Sequence, residues 1–115
     1  MIVEGQTVLF KFPQTAQKEG KLRPALVLRQ LPGQYNDWLI CMISSQLQQR
    51  VPDFDEVITP NDSDFKKSGL KLPSLIRISR LAVVERNIIL GKLGQIDDKR
   101  LSLIKQRLSQ WIQST

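Results

Sequence analysis

The sequence predicts a mainly β domain: a small, strongly bent antiparallel sheet or barrel, closed by a C-terminal helix. Three observations predict it. Most of the chain is a series of short apolar runs broken by Gly, Pro, Asn and Asp, the pattern of short strands joined by turns. From residue 97 the apolar period changes from two to that of a helix. The chain has 115 residues, room for one core, so 1–115 is read as a single domain.

Each element follows in order. "QTVLFKF" (6–12) alternates, with Val8, Phe10 and Phe12 on one face and Lys11 on the other, and Pro13 ends it. The polar stretch 14–22, with Gly20, reads as a loop. "PALVLRQ" is the second strand, "LPGQYN" a turn, and "DWLICMISS" (37–45) the third strand. "DEVITP" is a shorter strand. "NDSDFKKSG" (61–69) predicts one or two helical turns, capped by Asn61 or Ser63 and stopped by Gly69. "SLIRIS" alternates again, and "LAVVE" and "IILGKLGQI" are two further apolar segments. In "DDKRLSLIKQRLSQWIQ", Leu101, Ile104, Leu108, Trp111 and Ile112 form one helical stripe, with Asp97 as cap and Asp98 in the first turn. Trp111 is assigned to packing on that stripe, and Trp38 to the core.

Composition narrows the function. With 41% hydrophobic and 24% charged residues, the chain has a globular profile. The apolar runs are too short to span a bilayer, and the N-terminus lacks a basic n-region, so a cytoplasmic protein is expected. The single cysteine, Cys41, lies in an apolar run and reads as a buried thiol in a reducing compartment. A net charge of +6 favours a polyanionic partner. The charge is uneven. Residues 53–64 carry Asp53, Asp55, Glu56, Asp62 and Asp64 with no Lys or Arg, while the first loop and the last third are basic. The chain has no histidine, which excludes imidazole acid–base chemistry, Ser-His-Asp and Cys-His nucleophiles, and histidine metal sites. It has no nucleotide-binding glycine loop either; no metal and no cofactor are expected.

The candidate chemistry starts at "KLRPALVLRQ" (21–30). Arg23 stands at the mouth of an apolar strand, and Pro24 biases it toward extended geometry. Two readings are open. Arg23 pairs with Glu19 or Glu56 at the sheet rim, or it holds a phosphate through two parallel N–H donors. Ser44 and Ser45 end the third strand, either satisfied by backbone or offering a hydroxyl to the same phosphate. Arg77 and Ser79 share a face of an alternating strand, with Arg80 on the other as a solvated charge. Lys18 and Lys21 are phosphate-positioning residues or ordinary loop lysines. Tyr35 is a candidate for base stacking.

The order "GQTVLFKFP", "KLRPALVL", "ICMISSQ", "GLKLPSLIRIS", "LGQIDDKRLSLIKQRL" resembles the PemK/MazF family of bacterial toxins over nearly the whole chain. The resemblance implies an SH3-like small barrel, a homodimer and a metal-independent endoribonuclease of a type II toxin–antitoxin system. It also implies a small acidic antitoxin as partner and single-stranded RNA as substrate. Arg23 matches the family's catalytic arginine. Ser44 stands at the position of its catalytic hydroxyl, usually a threonine. Lys18, Lys21, Ser45, Gln46, Arg77 and Ser79 are the implied RNA-binding residues. Some members carry an aspartate two residues after the arginine that Arg77 matches; here that position is Ser79.

RNA supplies a 2′-OH beside the scissile phosphate. In-line attack gives a 2′,3′-cyclic phosphate and a free 5′-OH, and fixed donors stabilise the charge that develops on phosphoryl oxygens. Arg23 is read as that stabiliser, with Ser44 assisting and the general base unassigned. Two alternatives stand beside this: a relative that binds nucleic acid with weak catalysis, and an SH3-like toxin acting on a protein such as a topoisomerase.

Overall fold

A computed structural model describes residues 1–11 and 22–115. Six strands form one antiparallel sheet: β1 (Gln6–Lys11), β2 (Leu22–Gln30), β3 (Asp37–Ser44), β4 (Glu56–Ile58), β5 (Ser74–Glu85) and β6 (Ile89–Gln95). Helix α1 (Asp98–Gln113) follows. The strand order is β4-β5-β3-β2-β1-β6. The ladder is bent by register shifts in three of its pairings and stays open, with β4 and β6 as its edges. The mainly β architecture with a closing helix is as expected; the barrel is a bent, open sheet.

Both faces of the sheet are buried around the middle of β2, which explains why "PALVL" is apolar without alternation. Leu26 and Leu28 of β2 join Cys41, Ile43, Ile76 and Ile78 in one core, covered by Ile104 and Leu108 of α1. Ala25 and Val27 point the other way, into a second core with Val8, Phe10, Ile40 and Val84. Each such side chain contributes about 1.5–3 kcal/mol when removed from water. Trp38 lies in this second core, and its Nε1–H donates to Asn36 Oδ1 at 2.9 Å. Cys41 is buried as expected, and burial, reinforced by the charge of Asp55, pushes its thiol up to about 12.

Four local expectations are corrected. "SLIRIS" and "LAVVE" are halves of one 12-residue strand, β5. Residues 61–69 form a run of turns, not a helix. Their polar groups serve other ends: Asp62 Oδ2 accepts from Thr59 N–H at 2.7 Å, and Asp64 binds Arg100 and the Asp97 N–H. Gly69, at φ 75°, does end the segment. Asp97 occupies the N-cap position of α1 without a side-chain cap bond; its carboxylate pairs with Lys67 instead. Trp111 and Ile112 are exposed, at 59% and 64%. The helix outruns the core after Leu108, and Trp111 leans on Phe54, with ring centroids 5.9 Å apart.

The turn segment seats directly on β1 and β6. Thr7 Oγ1 donates to the Ser68 carbonyl at 2.5 Å, and Gln95 N–H to the Lys67 carbonyl at 2.9 Å. A Cβ at Gly94 would stand 2.1 Å from Lys67 O and 2.6 Å from Ser68 C, both backbone atoms that cannot swing away. Gly94→Ala is therefore expected to destabilise by on the order of 3 kcal/mol, the upper end of the overpacking range. Urea denaturation checks this; an unchanged midpoint would mean that the close approach is not required.

Candidate RNA-binding cleft

The ends of β2, β3 and β5 meet at one place. Ala25 pairs with Met42, and Met42 with Arg77. The β2–β3 ladder ends at the Ala25–Met42 pair; Arg23 and Ser44 lie two residues beyond it, one on each strand. By strand alternation Arg23, Met42, Ser44 and Arg77 share a face, the one carrying the second core and facing away from α1. Where that core ends at Met42 and Ala82, the face becomes polar and opens into a cleft of about 1020 Å³.

A long bulge shapes the β5 wall. Cys41 pairs with Leu81 and Met42 with Arg77, so Ile78, Ser79 and Arg80 are skipped by the ladder. Strict alternation, which would send Arg80 to the opposite face from Arg77 and Ser79, is thereby broken. All three polar residues line the cleft. Arg80 is exposed, as expected of a solvated strand charge, but its expected place on the face opposite Arg77 and Ser79 is corrected: it lines the same cleft as they do.

Among the described residues the cleft is lined by four cations, Arg23, Lys71, Arg77 and Arg80, and by no carboxylate. Arg23 is exposed and makes no ion pair among the described residues. Glu56, one of its two suggested partners, is bound instead by Arg100 at 3.0 Å and Arg107 at 3.3 Å; Glu19 lies outside the described residues. Ser44 Oγ accepts the Gln46 N–H at 3.0 Å, which leaves its own proton to donate. Ser45 and Gln46 are exposed and line the cleft, and Gln46 Oε1 accepts from Gln48 Nε2. Arg77 Nη1 donates to Gln49 Oε1 at 3.0 Å, while its Nε–H is buried with no partner among the described residues. Ser79 lines the cleft with its hydroxyl bonded to Asp55. Lys18 and Lys21 lie outside the described residues. Tyr35 is exposed but lines a separate, smaller hollow with Asn36, Glu85, Arg86 and Asn87.

Three cleft residues escaped the sequence reading. Arg80 was hidden by the bulge. Lys71 follows the turns of residues 61–69, which carry no periodic signal. Gln49, in a short 3₁₀ turn (Leu47–Gln49), is visible only through its bond to Arg77.

Part of the cationic helix pairs with part of the acidic stretch. Arg100 binds Asp64 at 2.8 Å, Glu56 at 3.0 Å and Asp62 at 3.5 Å. Arg107 adds bonds to Glu56 Oε1 and to the Phe54 and Asp55 carbonyls. These two helix arginines are occupied within the fold, whereas the four cleft cations form no ion pair among the described residues.

The profile of the PemK-like, MazF-like toxins of type II toxin–antitoxin systems matches residues 4–112. No curated protein sequence matches the chain. Among solved structures, the Mycobacterium tuberculosis toxin MazF-mt6 superposes with a TM-score of 0.69 at 12% identity, over 96% of this chain and 98% of that one. An endoribonuclease in complex with its cognate antitoxin from Mycobacterial species does so with 0.69 at 12%, over 97% and 95%. At such identity the likeness is one of fold, and it agrees with the profile match, on which membership rests. The chain belongs to the PemK-like, MazF-like toxins of type II toxin–antitoxin systems.

Proposed function

We propose that this toxin is an endoribonuclease that cleaves single-stranded RNA by attack of a 2′-OH on the adjacent phosphate, without a metal ion. The observation that carries the reading is the cleft: four cations, no carboxylate among its described lining, and in the same lining as Arg23 a serine hydroxyl whose proton has no acceptor among the described residues. Such a surface attracts a polyanionic backbone and concentrates donors where phosphoryl charge develops. Arg23 takes the phosphoryl oxygens through its two-pronged guanidinium, Ser44 donates a neutral hydrogen bond, and Arg77, Arg80 and Lys71 track neighbouring phosphates. An acidic antitoxin segment would compete for the same cations.

The test is purified protein with a long single-stranded RNA in EDTA, with fragment ends mapped. Because the cleft's charged lining is cationic, cleavage is expected to be unaffected by the chelator and to leave 2′,3′-cyclic phosphate and 5′-OH ends. Activity lost in EDTA and restored by magnesium overturns the metal-independent chemistry. Binding without cleavage selects a nucleic-acid-binding relative, and neither binding nor cleavage points to a protein target.

A further inference from the structure

The proposed reaction requires a group that accepts the 2′-OH proton. The chain has no histidine, and the described lining of the cleft has no carboxylate. One carboxylate does reach a hydroxyl of that lining from behind. Asp55 is 1% exposed and sits in the connection between the 3₁₀ turn and β4. Ser79 Oγ bonds to its Oδ2 at 3.0 Å and Ser79 N–H to its Oδ1 at 3.0 Å, while Val51 N–H donates to Oδ2 at 2.9 Å. An ionised carboxylate only accepts, so Ser79 is the donor in the hydroxyl bond. The serine's one proton is thereby committed to Asp55, and its oxygen is left as an acceptor in the cleft wall. Arg107 holds the same segment through the Phe54 and Asp55 carbonyls, so the carboxylate is fixed from both sides.

Resting on the nuclease reading, we infer that Ser79 accepts the 2′-OH proton in the cleft while Asp55 positions its hydroxyl and takes the serine's proton in turn. The step balances. O2′ bonds to phosphorus as the P–O5′ bond breaks. The 2′-OH proton moves to Ser79 Oγ as the serine's own proton moves to Asp55 Oδ2. O5′ takes a proton from water in the open cleft, and Asp55 returns its proton through Ser79 after product leaves. The 3.0 Å separation is within the range for direct transfer. The bulge at Ile78, Ser79 and Arg80 brings the two arginines and this serine to one wall.

The experiment is a double-mutant cycle in steady-state cleavage of a defined RNA, with wild type, Ser79→Ala, Asp55→Asn and the pair. Ser79→Ala keeps both backbone donors to Asp55, so it is expected to fold. General-base assistance is worth about 10²–10⁴-fold. The expected result is that Ser79→Ala lowers kcat by about 10²-fold or more, with KM and affinity for an uncleavable 2′-deoxy RNA little changed. Ser79→Thr, which keeps the hydroxyl, should recover most of the rate. The double variant should be no slower than Ser79→Ala, because the two groups act as a unit. If the pair only ties the loop to β5, Ser79→Ala lowers the urea midpoint and leaves kcat intact; that outcome, or losses in kcat that add, overturns the relay while the nuclease reading stands. Wild-type protein that cleaves no RNA overturns both.

Discussion

Arg23→Ala is expected to slow RNA cleavage by about 10²–10³-fold or more while leaving the protein folded, in line with removal of one donor to a developing oxyanion. The structural half of this expectation follows from exposure. Arg23 carries no ion pair among the described residues, so its loss should change stability by only about 0–1 kcal/mol. The catalytic half follows from its place in the same cleft as Ser44, among like charges. Arg23→Lys should recover little, because a point charge cannot reproduce two parallel N–H donors. Ser44→Ala should slow the reaction less, since a neutral donor is weaker than a charged one, and Ser44→Thr should be tolerated because it keeps the hydroxyl. Single-turnover cleavage of a defined RNA, with circular dichroism on each variant, decides. A folded Arg23→Ala protein at the wild-type rate would remove the support for Arg23 and for the cleft as a nuclease site.

The fold was legible where periodicity governs, and illegible where geometry departs from it. β1, β2 and β3 lie close to their expected bounds because each combines an apolar run with flanking turn residues. The two-sided burial of "PALVL" is also written in its unbroken apolar run. The β5 bulge has no such mark. It divides one strand into two apparent segments and makes Arg80 look as if it faced away from Arg77 and Ser79. Trp111 failed for a related reason: a helical stripe fixes a face but not how far the core extends beneath it. The sequence marks 53–64 as acidic but does not say what its carboxylates bind; Glu56, Asp62 and Asp64 bind Arg100. That arginine lies more than thirty residues away on α1, a separation that no local pattern encodes.

That buried charge cluster yields the second large expectation, one of stability. Arg100 and Asp64 are 12% and 2% exposed in their side chains, and the guanidinium spans both Asp64 oxygens through Nε at 2.8 Å and Nη2 at 3.0 Å. Burial pushes the Asp64 carboxyl up, but the Arg100 hydrogen bonds, the Asp97 N–H and the Arg100 charge outweigh it and hold it below its usual range. Arg100→Met keeps much of the stem and removes the charge, stranding Asp64 without its cation. Breaking one side of a buried pair costs about 3–5 kcal/mol, a large share of a stability of about 5–15 kcal/mol. The pH dependence separates this from a packing defect. With its folded value depressed, wild-type Asp64 contributes stability that is fully present above the unfolded carboxyl value of about 3.9 and is lost as pH falls through the folded one. In the variant burial acts unopposed by Arg100, so protonating Asp64 relieves the stranded charge, and the variant loses less on acidification. The gap between the two proteins should thus be widest near neutral pH and narrow below about pH 4. Urea unfolding of both proteins at several pH values measures it, and a gap under 1 kcal/mol, or one constant across that range, would show that Arg100 acts through packing alone.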